Sequence, residues 1–220
     1  MGLPKKIISR RKNITLKVDG LAKTFNGSIV FRDVSFELAN SSIMAVSGRN
    51  GSGKSTLLKL LCRLIVPTAG SISYTIESKY VDGDIRDHIA FVSPYLNLYE
   101  EFTPIEHLEM AASLCGREHD KELTAGLLEL FNLYHKKDEY IKTFSSGMKQ
   151  RVKYIIAVSR RPDILFLDEP FTNLDNEAVA IIDEIILSQA HSNGIVVIAS
   201  NDDRETKHCN KFINLNIGSR

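Results

Sequence analysis

A glycine-rich segment at residues 48–56 is the part of the sequence best suited to binding a charged ligand. It matches the pattern G-x-x-x-x-G-K-[ST] in full, and its residues are Gly48, Arg49, Asn50, Gly51, Ser52, Gly53, Lys54, Ser55 and Thr56. Glycines let the backbone curl so that successive N–H groups point inward at phosphate oxygens. Lys54 supplies a mobile positive charge for the outer phosphates, and the Ser55 hydroxyl can ligate Mg²⁺. All nine residues are therefore predicted to bind Mg·ATP.

Two adjacent carboxylates follow an apolar run later in the chain. Ile164–Leu167 is apolar throughout, and Asp168 and Glu169 come directly after it. A buried strand delivers both acids to its carboxyl end, where open α/β sheets bind ligands. Asp168 is predicted to hold Mg²⁺ through water, and Glu169 to orient or deprotonate the attacking water. If the chain had no glycine-rich segment, the two acids would be interpreted as residues that cap the loop before Pro170. Beside the glycine-rich segment they indicate phosphate cleavage, with Lys54 and Glu169 as catalytic residues.

Apolar runs and helical patterns predict the elements that position these residues. Strands are predicted at Ile14–Val18, Val34–Leu38, Ile43–Val46, Ser71–Ile76, Ile89–Val92, Ile164–Leu167, Ile195–Ala199 and Phe212–Leu215, with a turn at Asp82–Asp84. Helices are predicted at Ser55–Val66, Pro104–Cys115, Lys121–Tyr134, Gly147–Arg160 and Asn176–Ala190. Strand patterns are absent from about Pro104 to Arg161, which predicts an α/β chain with an all-helical insert.

Composition restricts the classes of partner. The 220 residues suit one α/β domain with a small insert, and a net charge of +1 gives no reason to expect nucleic-acid binding. A basic tail at residues 1–13 carries Lys5, Lys6, Arg10, Arg11 and Lys12, and is predicted to be solvated rather than to contact an anionic surface. No apolar run approaches the ~18 residues of a membrane span, and no secretory signal is evident. A soluble protein is expected, with any membrane role requiring a partner chain.

Further motifs connect the two predicted halves of the site to one family. Phe144–Met148 reads Phe-Ser-Ser-Gly-Met and is followed by Lys-Gln-Arg, and Pro170–Asp175 reads Pro-Phe-Thr-Asn-Leu-Asp. The first segment is similar to the signature of ABC ATPases, usually Leu-Ser-Gly-Gly-Gln, and the second resembles their D-loop. Their order along the chain also resembles that of the family. The resemblance to the ABC nucleotide-binding domain extends from about Ile14 to Gly218.

The resemblance implies both a fold and a division of the chain. The implied fold is α/β: a P-loop NTPase core with a mostly parallel central sheet, an N-terminal antiparallel β subdomain and an inserted all-helical subdomain. A single ABC ATPase domain would span residues 1–220. Within it, residues 14–95 and 162–220 would form the nucleotide-binding core, and residues 96–161 would form the helical signature subdomain.

The resemblance also implies a site shared between two chains. In this family two domains pair head to tail, and ATP lies between the P-loop of one and the signature of the other. The Ser145 hydroxyl and the Gly147 N–H would then contact the γ-phosphate at a helix N-terminus, in a homodimer or pseudo-dimer. Ser145 could equally be the N-cap of that helix, and the two roles are compatible. Phe25 aligns with the aromatic residue that stacks on adenine, although it could instead be a core residue.

Two positions depart from the family pattern. Pro94 occupies the place of the Q-loop glutamine, and proline has no side-chain donor or acceptor with which to contact Mg²⁺ or the lytic water. Asn201 stands where the family has a switch histidine. Asparagine can donate a hydrogen bond to the γ-phosphate but cannot carry a proton, so Asn201 is predicted to be a catalytic residue of a slow ATPase.

The leading functional hypothesis is an ATP-hydrolysing subunit of an ABC transporter. The resemblance implies a separate integral membrane permease, a cytoplasmic location at the inner face of the membrane, and Mg²⁺ with ATP as cofactors. The permease would dock near Pro94–Glu106, where the apolar residues either form a docking surface or a local cluster; they are Tyr95, Leu96, Leu98, Tyr99 and Phe102. The alternatives are a non-transport ABC switch and an ATP clamp with little hydrolysis.

Overall fold

The structure is a computed structural model that describes residues 3–4, 12–81 and 85–215. The predicted turn at Asp82–Asp84, the chain after residue 215 and the basic residues Lys5, Lys6, Arg10 and Arg11 lie outside the described residues.

Four strands near the N-terminus form an antiparallel sheet with the order β2-β1-β4-β5. They are β1 (Ile14–Phe25), β2 (Ser28–Leu38), β4 (Ala69–Ile76) and β5 (Lys79–Tyr80). Strand β1 continues well beyond the predicted end at Val18. Its pairing with β2 shifts register between Val18 and Leu21, where Gly20 has a φ of +55°. This irregularity interrupts the alternation of apolar residues without ending the strand.

Five strands form the central sheet, with the order β6-β7-β8-β3-β9 and parallel pairing throughout. They are β3 (Ile43–Ser47), β6 (Ile89–Val92), β7 (Ile164–Asp168), β8 (Ile195–Ala199) and β9 (Lys211–Asn214). Every residue of β7 and β8 is buried, as expected for apolar strands that are covered on both faces. The predicted fold class is therefore confirmed.

Six α-helices are present in the described part of the chain: α1 (Lys54–Leu61), α2 (Pro104–Leu114), α3 (Lys121–Leu130), α4 (Ser146–Ser159), α5 (Asn176–His191) and α6 (Asp203–Thr206). Helices α2 to α4 lie between β6 and β7 and form the helical insert. The predicted extension of α1 to Val66 is wrong, because the helix stops before Arg63, whose φ is +55°. Helix α3 likewise ends before Asn132, which also has a φ of +55°.

The central sheet separates two hydrophobic cores. Ile164 and Phe166 of β7 pack with α1 and the antiparallel sheet, whereas Leu165 and Leu167 pack with the helical insert and α5. Alternate residues of one strand thus serve opposite layers. Within the described ranges, no helix has the length and apolar character that crossing a bilayer requires.

Candidate functional site

The glycine-rich segment forms the turn between β3 and α1. Gly51 and Gly53 have φ values of +82° and +97°, a conformation that side chains disfavour. A Cβ atom on Gly53 would also clash with the Val30 side chain. Gly53 is the N-cap of α1 and offers no side-chain hydrogen bond, so N–H groups of the first turn are left for an anion. This geometry suits a phosphate group.

Two polar side chains of the segment lie inside the loop. Lys54 is buried, and its Nζ donates to the carbonyl oxygens of Gly48 (2.7 Å) and Arg49 (3.3 Å). Its ammonium group is thereby held among backbone atoms, from which it can turn toward a phosphate. The buried Ser52 Oγ has no hydrogen-bond partner among the described residues. Both groups fit an anionic ligand that supplies acceptors at this position.

Asp168 at the end of β7 joins the loop to the sheet. The Ser55 hydroxyl donates to its Oδ1 (3.0 Å), and the Ser93 hydroxyl donates to its Oδ2 (3.3 Å). Burial raises the pKa of Asp168 above its usual value, although both hydroxyl hydrogen bonds oppose the shift. A partly desolvated carboxylate beside a serine hydroxyl provides the hard oxygen ligands that Mg²⁺ prefers. The predicted metal residues, Ser55 and Asp168, are therefore adjacent and fit that ion.

Glu169 adopts an unusual backbone conformation for a residue with a side chain. Its φ is +46°, and its N–H donates to the carbonyl of Ala199 in β8 (2.9 Å), which holds this conformation in place. The side chain lines the same cavity as Lys54, Ser55 and Thr56. The predicted base thus lies beside the predicted phosphate and metal residues.

Asn201 contacts the phosphate loop directly. Its Oδ1 accepts a hydrogen bond from the Gly48 N–H (3.2 Å), and its Nδ2 donates to the Asn50 side chain (3.2 Å). Asn201 also lines a second cavity together with Asn50 and Glu169. The side chain predicted to replace histidine is therefore within reach of the loop that would carry the phosphates.

Phe25 lies at the edge of the phosphate-loop cavity and is 47% exposed. The Lys23 ammonium lies 4.6 Å from its ring centroid. Phe25 is thus not a core residue, and one of the two alternatives for it is wrong. Its stacking on adenine stays a prediction.

Ser145 and Gly147 do not line the phosphate-loop cavity in the described part of the chain. Ser145 is the N-cap of α4, and its side chain accepts a hydrogen bond from the Met148 N–H (3.3 Å). A Cβ atom on Gly147 would lie 2.8 Å from the Asn173 carbonyl oxygen, so this helix start is in close contact with the Pro170–Asp175 loop. The predicted contact of these two residues with ATP stays a prediction.

The segment after β6 is partly a hydrophobic cluster and partly exposed. Leu98 packs against the helical core, and the rings of Tyr99, Phe102 and His107 contact one another at centroid distances of 5.4–6.0 Å. Tyr99 is nevertheless 63% exposed, and Tyr95 is 74% exposed and reaches the phosphate-loop cavity. Features of both proposed alternatives are thus present in one loop.

Three polar residues of the site were not predicted. They are Ser93, Lys153 and Glu205. The Lys153 Nζ donates to the carbonyls of Ser93 (3.2 Å) and Pro94 (2.8 Å). The Glu205 carboxylate accepts a hydrogen bond from the Phe171 N–H (2.7 Å). Burial raises the pKa of Glu205. Their contacts join segments distant in sequence, so no local pattern indicated them.

Comparison with known proteins yields consistent matches. The family described as ABC transporter matches residues 31–172. The uncharacterized ABC transporter ATP-binding protein YcbN of Bacillus subtilis is 33% identical over 84% of this chain, which spans 60% of that relative. The cytochrome c biogenesis ATP-binding export protein CcmA of Dechloromonas aromatica is 31% identical, with 84% and 91% of the two chains covered. A solved ATP-binding subunit of an ABC transporter superposes with a TM-score of 0.81 at 31% identity, covering 92% of this chain and 86% of the other.

Proposed function

We propose that this chain, which belongs to the ABC transporter family of ATP-binding proteins, binds Mg·ATP on its own phosphate loop. It hydrolyses the ATP to power a separate membrane permease. The observation that carries the proposal is the hydrogen bond between Ser55 and Asp168, with Glu169 beside it in the same cavity. This arrangement supports the proposal, because the residues predicted to bind phosphate, to hold the metal and to act as the base lie side by side in one chain.

Each side chain has a separate task in the proposed reaction. The N–H groups at the start of α1 bind the phosphates, and Lys54 turns from the carbonyls of Gly48 and Arg49 to neutralise the outer ones. Ser55 and Asp168 hold Mg²⁺, which when bound spreads the negative charge of the phosphate oxygens. Glu169 orients the attacking water and accepts its proton.

Completion of the site is proposed to come from a second chain in head-to-tail orientation. Ser145 is the N-cap of α4, and the first-turn N–H groups of a helix, together with the positive end of its dipole, attract a phosphate. In the proposed homodimer or pseudo-dimer, Ser145 and Gly147 of one chain contact the γ-phosphate held by the other. Residues 96–161 are proposed to form the subdomain that carries this helix start.

Steady-state turnover of the wild type, Glu169→Gln and Asn201→His tests the chemistry. Because a general base contributes about 10²–10⁴-fold, Glu169→Gln should lose most of the activity while still binding ATP. Asn201→His should raise turnover, because imidazole can carry charge toward the phosphate. Equal turnover of wild type and Glu169→Gln would show that this carboxylate is not the base.

A matched pair at Ser145 tests the dimer. Asparagine and aspartate are both good N-caps, so Ser145→Asn and Ser145→Asp should preserve α4 and differ only in charge. In a Glu169→Gln background with ATP, the asparagine variant should elute at twice the mass of one chain. The aspartate variant should remain monomeric, because its carboxylate would repel the γ-phosphate. Dimers formed equally by both variants would contradict the proposed contact.

The permease is proposed to contact the exposed residues of the loop after β6. Tyr95, Leu96 and Tyr99 are 74%, 37% and 63% exposed within five residues of one loop, and exposed apolar side chains that cluster in this way mark interaction sites. This contact would hold the chain at the inner face of the membrane. Recovery of the chain with the membrane fraction, and its release by Leu96→Ser combined with Tyr99→Ser, would support the proposal. A chain that fractionates identically with and without these substitutions would count against it.

A further inference from the structure

We infer that Ser93 and Lys153 together replace the side-chain link that Pro94 cannot make: Ser93 positions the metal-binding carboxylate of Asp168, and Lys153 ties Ser93 to helix α4. This inference rests on the proposed Mg·ATP site. Both residues are positioning residues, because neither is required to touch the nucleotide. The contacts of the two side chains carry the argument.

The Ser93 hydroxyl has a defined orientation. Ser93 is 2% exposed, and its hydroxyl donates to Asp168 Oδ2 while accepting the Tyr95 N–H (3.4 Å). A serine hydroxyl has a single proton, so its donation to Asp168 excludes donation elsewhere. The other carboxylate oxygen accepts the Ser55 hydroxyl. Ser93 and Ser55 thus hold Asp168 from opposite oxygens and fix the plane of its carboxylate.

Lys153 holds the backbone on which Ser93 is carried. Its Nζ donates to two consecutive carbonyls, those of Ser93 and Pro94. Proline has no N–H and a nearly fixed φ, so the loop cannot make the backbone hydrogen bond that another residue would offer at position 94. The lysine instead binds the loop through its carbonyls. Hydrogen bonds from a charged donor are the stronger kind, and this one sits in a half-buried position.

The same lysine connects the metal residue to the helix start that faces the partner. Lys153 lies on α4, about two helical turns after the N-cap Ser145. A displacement of α4 when Ser145 meets a phosphate would move Lys153 and hence the Ser93 carbonyl. The connection runs through two hydrogen-bonded contacts, from Lys153 to Ser93 and from Ser93 to Asp168. Metal affinity should therefore respond to the position of the helical insert.

Direct measurement of metal binding tests the inference. The full chain is loaded with a non-hydrolysable ATP analogue, and Mn²⁺ binding is followed by electron paramagnetic resonance. Ser93→Ala and Lys153→Met should each weaken Mn²⁺ binding by about tenfold, the lower end of the effect of removing a residue that orients a metal ligand. Lys153→Arg should retain most of the affinity. The double variant should lose no more than the worse single variant, because both act through one path.

A lysine of the helical insert that contacts the same loop at another place provides the control. The Lys142 ammonium binds the Glu101 carboxylate (2.9 Å) at the surface, so it also joins the insert to this loop but does not reach Ser93. Lys142→Met should leave Mn²⁺ binding unchanged. Metal-free analogue binding in EDTA should be alike for wild type, Ser93→Ala and Lys153→Arg.

Three results would overturn the inference. They are unchanged Mn²⁺ affinity in Ser93→Ala, losses that add in the double variant, and a loss in Lys142→Met as large as that in Lys153→Met. Failure of the proposed function looks different: the wild type itself would bind the analogue without taking up Mn²⁺, or would bind neither.

Discussion

The hydroxyl of Tyr154 makes a buried contact whose removal has a predictable cost. Tyr154 lies on α4, is fully buried, and donates to the carbonyl oxygen of Pro170 (2.8 Å). Its ring stacks on Phe131 at a centroid distance of 6.4 Å. Tyr154→Phe keeps this ring contact and removes only the donor. The Pro170 carbonyl, one residue after Glu169, then loses its partner on α4.

The size of the effect follows from the burial of both groups. A buried acceptor left without a donor costs about 1–3 kcal/mol. For chains of roughly 150–250 residues, each kcal/mol corresponds to about 2–4 °C in the unfolding midpoint. Tyr154→Phe should therefore unfold several degrees below the wild type. Turnover should also fall, because the residue directly after Glu169 loses this hydrogen bond to α4.

Thermal unfolding followed by circular dichroism, together with steady-state turnover, measures both effects. Tyr140→Phe is the matched control, because Tyr140 is 50% exposed and water can replace any partner of its hydroxyl. The control should lie within about 0.5 kcal/mol of the wild type. A Tyr154→Phe variant that unfolds together with the control would refute the reasoning, since the carbonyl would then not depend on this donor.

Two further predictions concern stability. Gly147→Ala should destabilise the chain and lower turnover, because the new Cβ atom would lie only 2.8 Å from the Asn173 carbonyl oxygen. Gly126→Ala in α3 should instead stabilise the chain by up to about 1 kcal/mol. Chemical denaturation should therefore give changes in the free energy of unfolding that have opposite signs for the two variants. Burial raises the pKa of Glu205 above its ordinary value of 4.5, so its contribution to stability is present below that pH and is lost as pH rises through the raised pKa. As pH rises above about 4.5, the free energy of unfolding of Glu205→Gln should therefore increase relative to that of the wild type. Parallel pH profiles of the two proteins would contradict this.

The sequence predicted the elements of the site better than their limits. The phosphate loop and the acids after β7 were predicted to meet because the carboxyl ends of parallel strands share one edge of a sheet, and Ser55 and Asp168 do meet. The ends of β1 and α1 were wrong, since positive φ angles at Gly20 and Arg63 are decided by the local backbone and not by apolar spacing.

Contacts between distant segments account for what the sequence did not predict. Ser93 and Lys153 are 60 positions apart and meet only because α4 packs beside β6. Glu205 looks like one of several acids on a short surface helix, yet it is buried against the Phe171 N–H. Neither arrangement leaves a periodic signal, because each depends on tertiary packing.

The place of the helical insert has a consequence for how the chain folds. Strands β6 and β7 are direct neighbours, yet about 70 residues separate them, and closing so long a connection costs roughly 2 kcal/mol more entropy than closing one of ~10 residues. Within the insert, the N–H groups of Ile141 and Lys142 donate to the carbonyls of Phe102 and Glu100, which joins the segment before α4 to the segment before α2. We expect an early-forming insert to shorten the effective connection, so that assembly of the helices precedes pairing of the two strands.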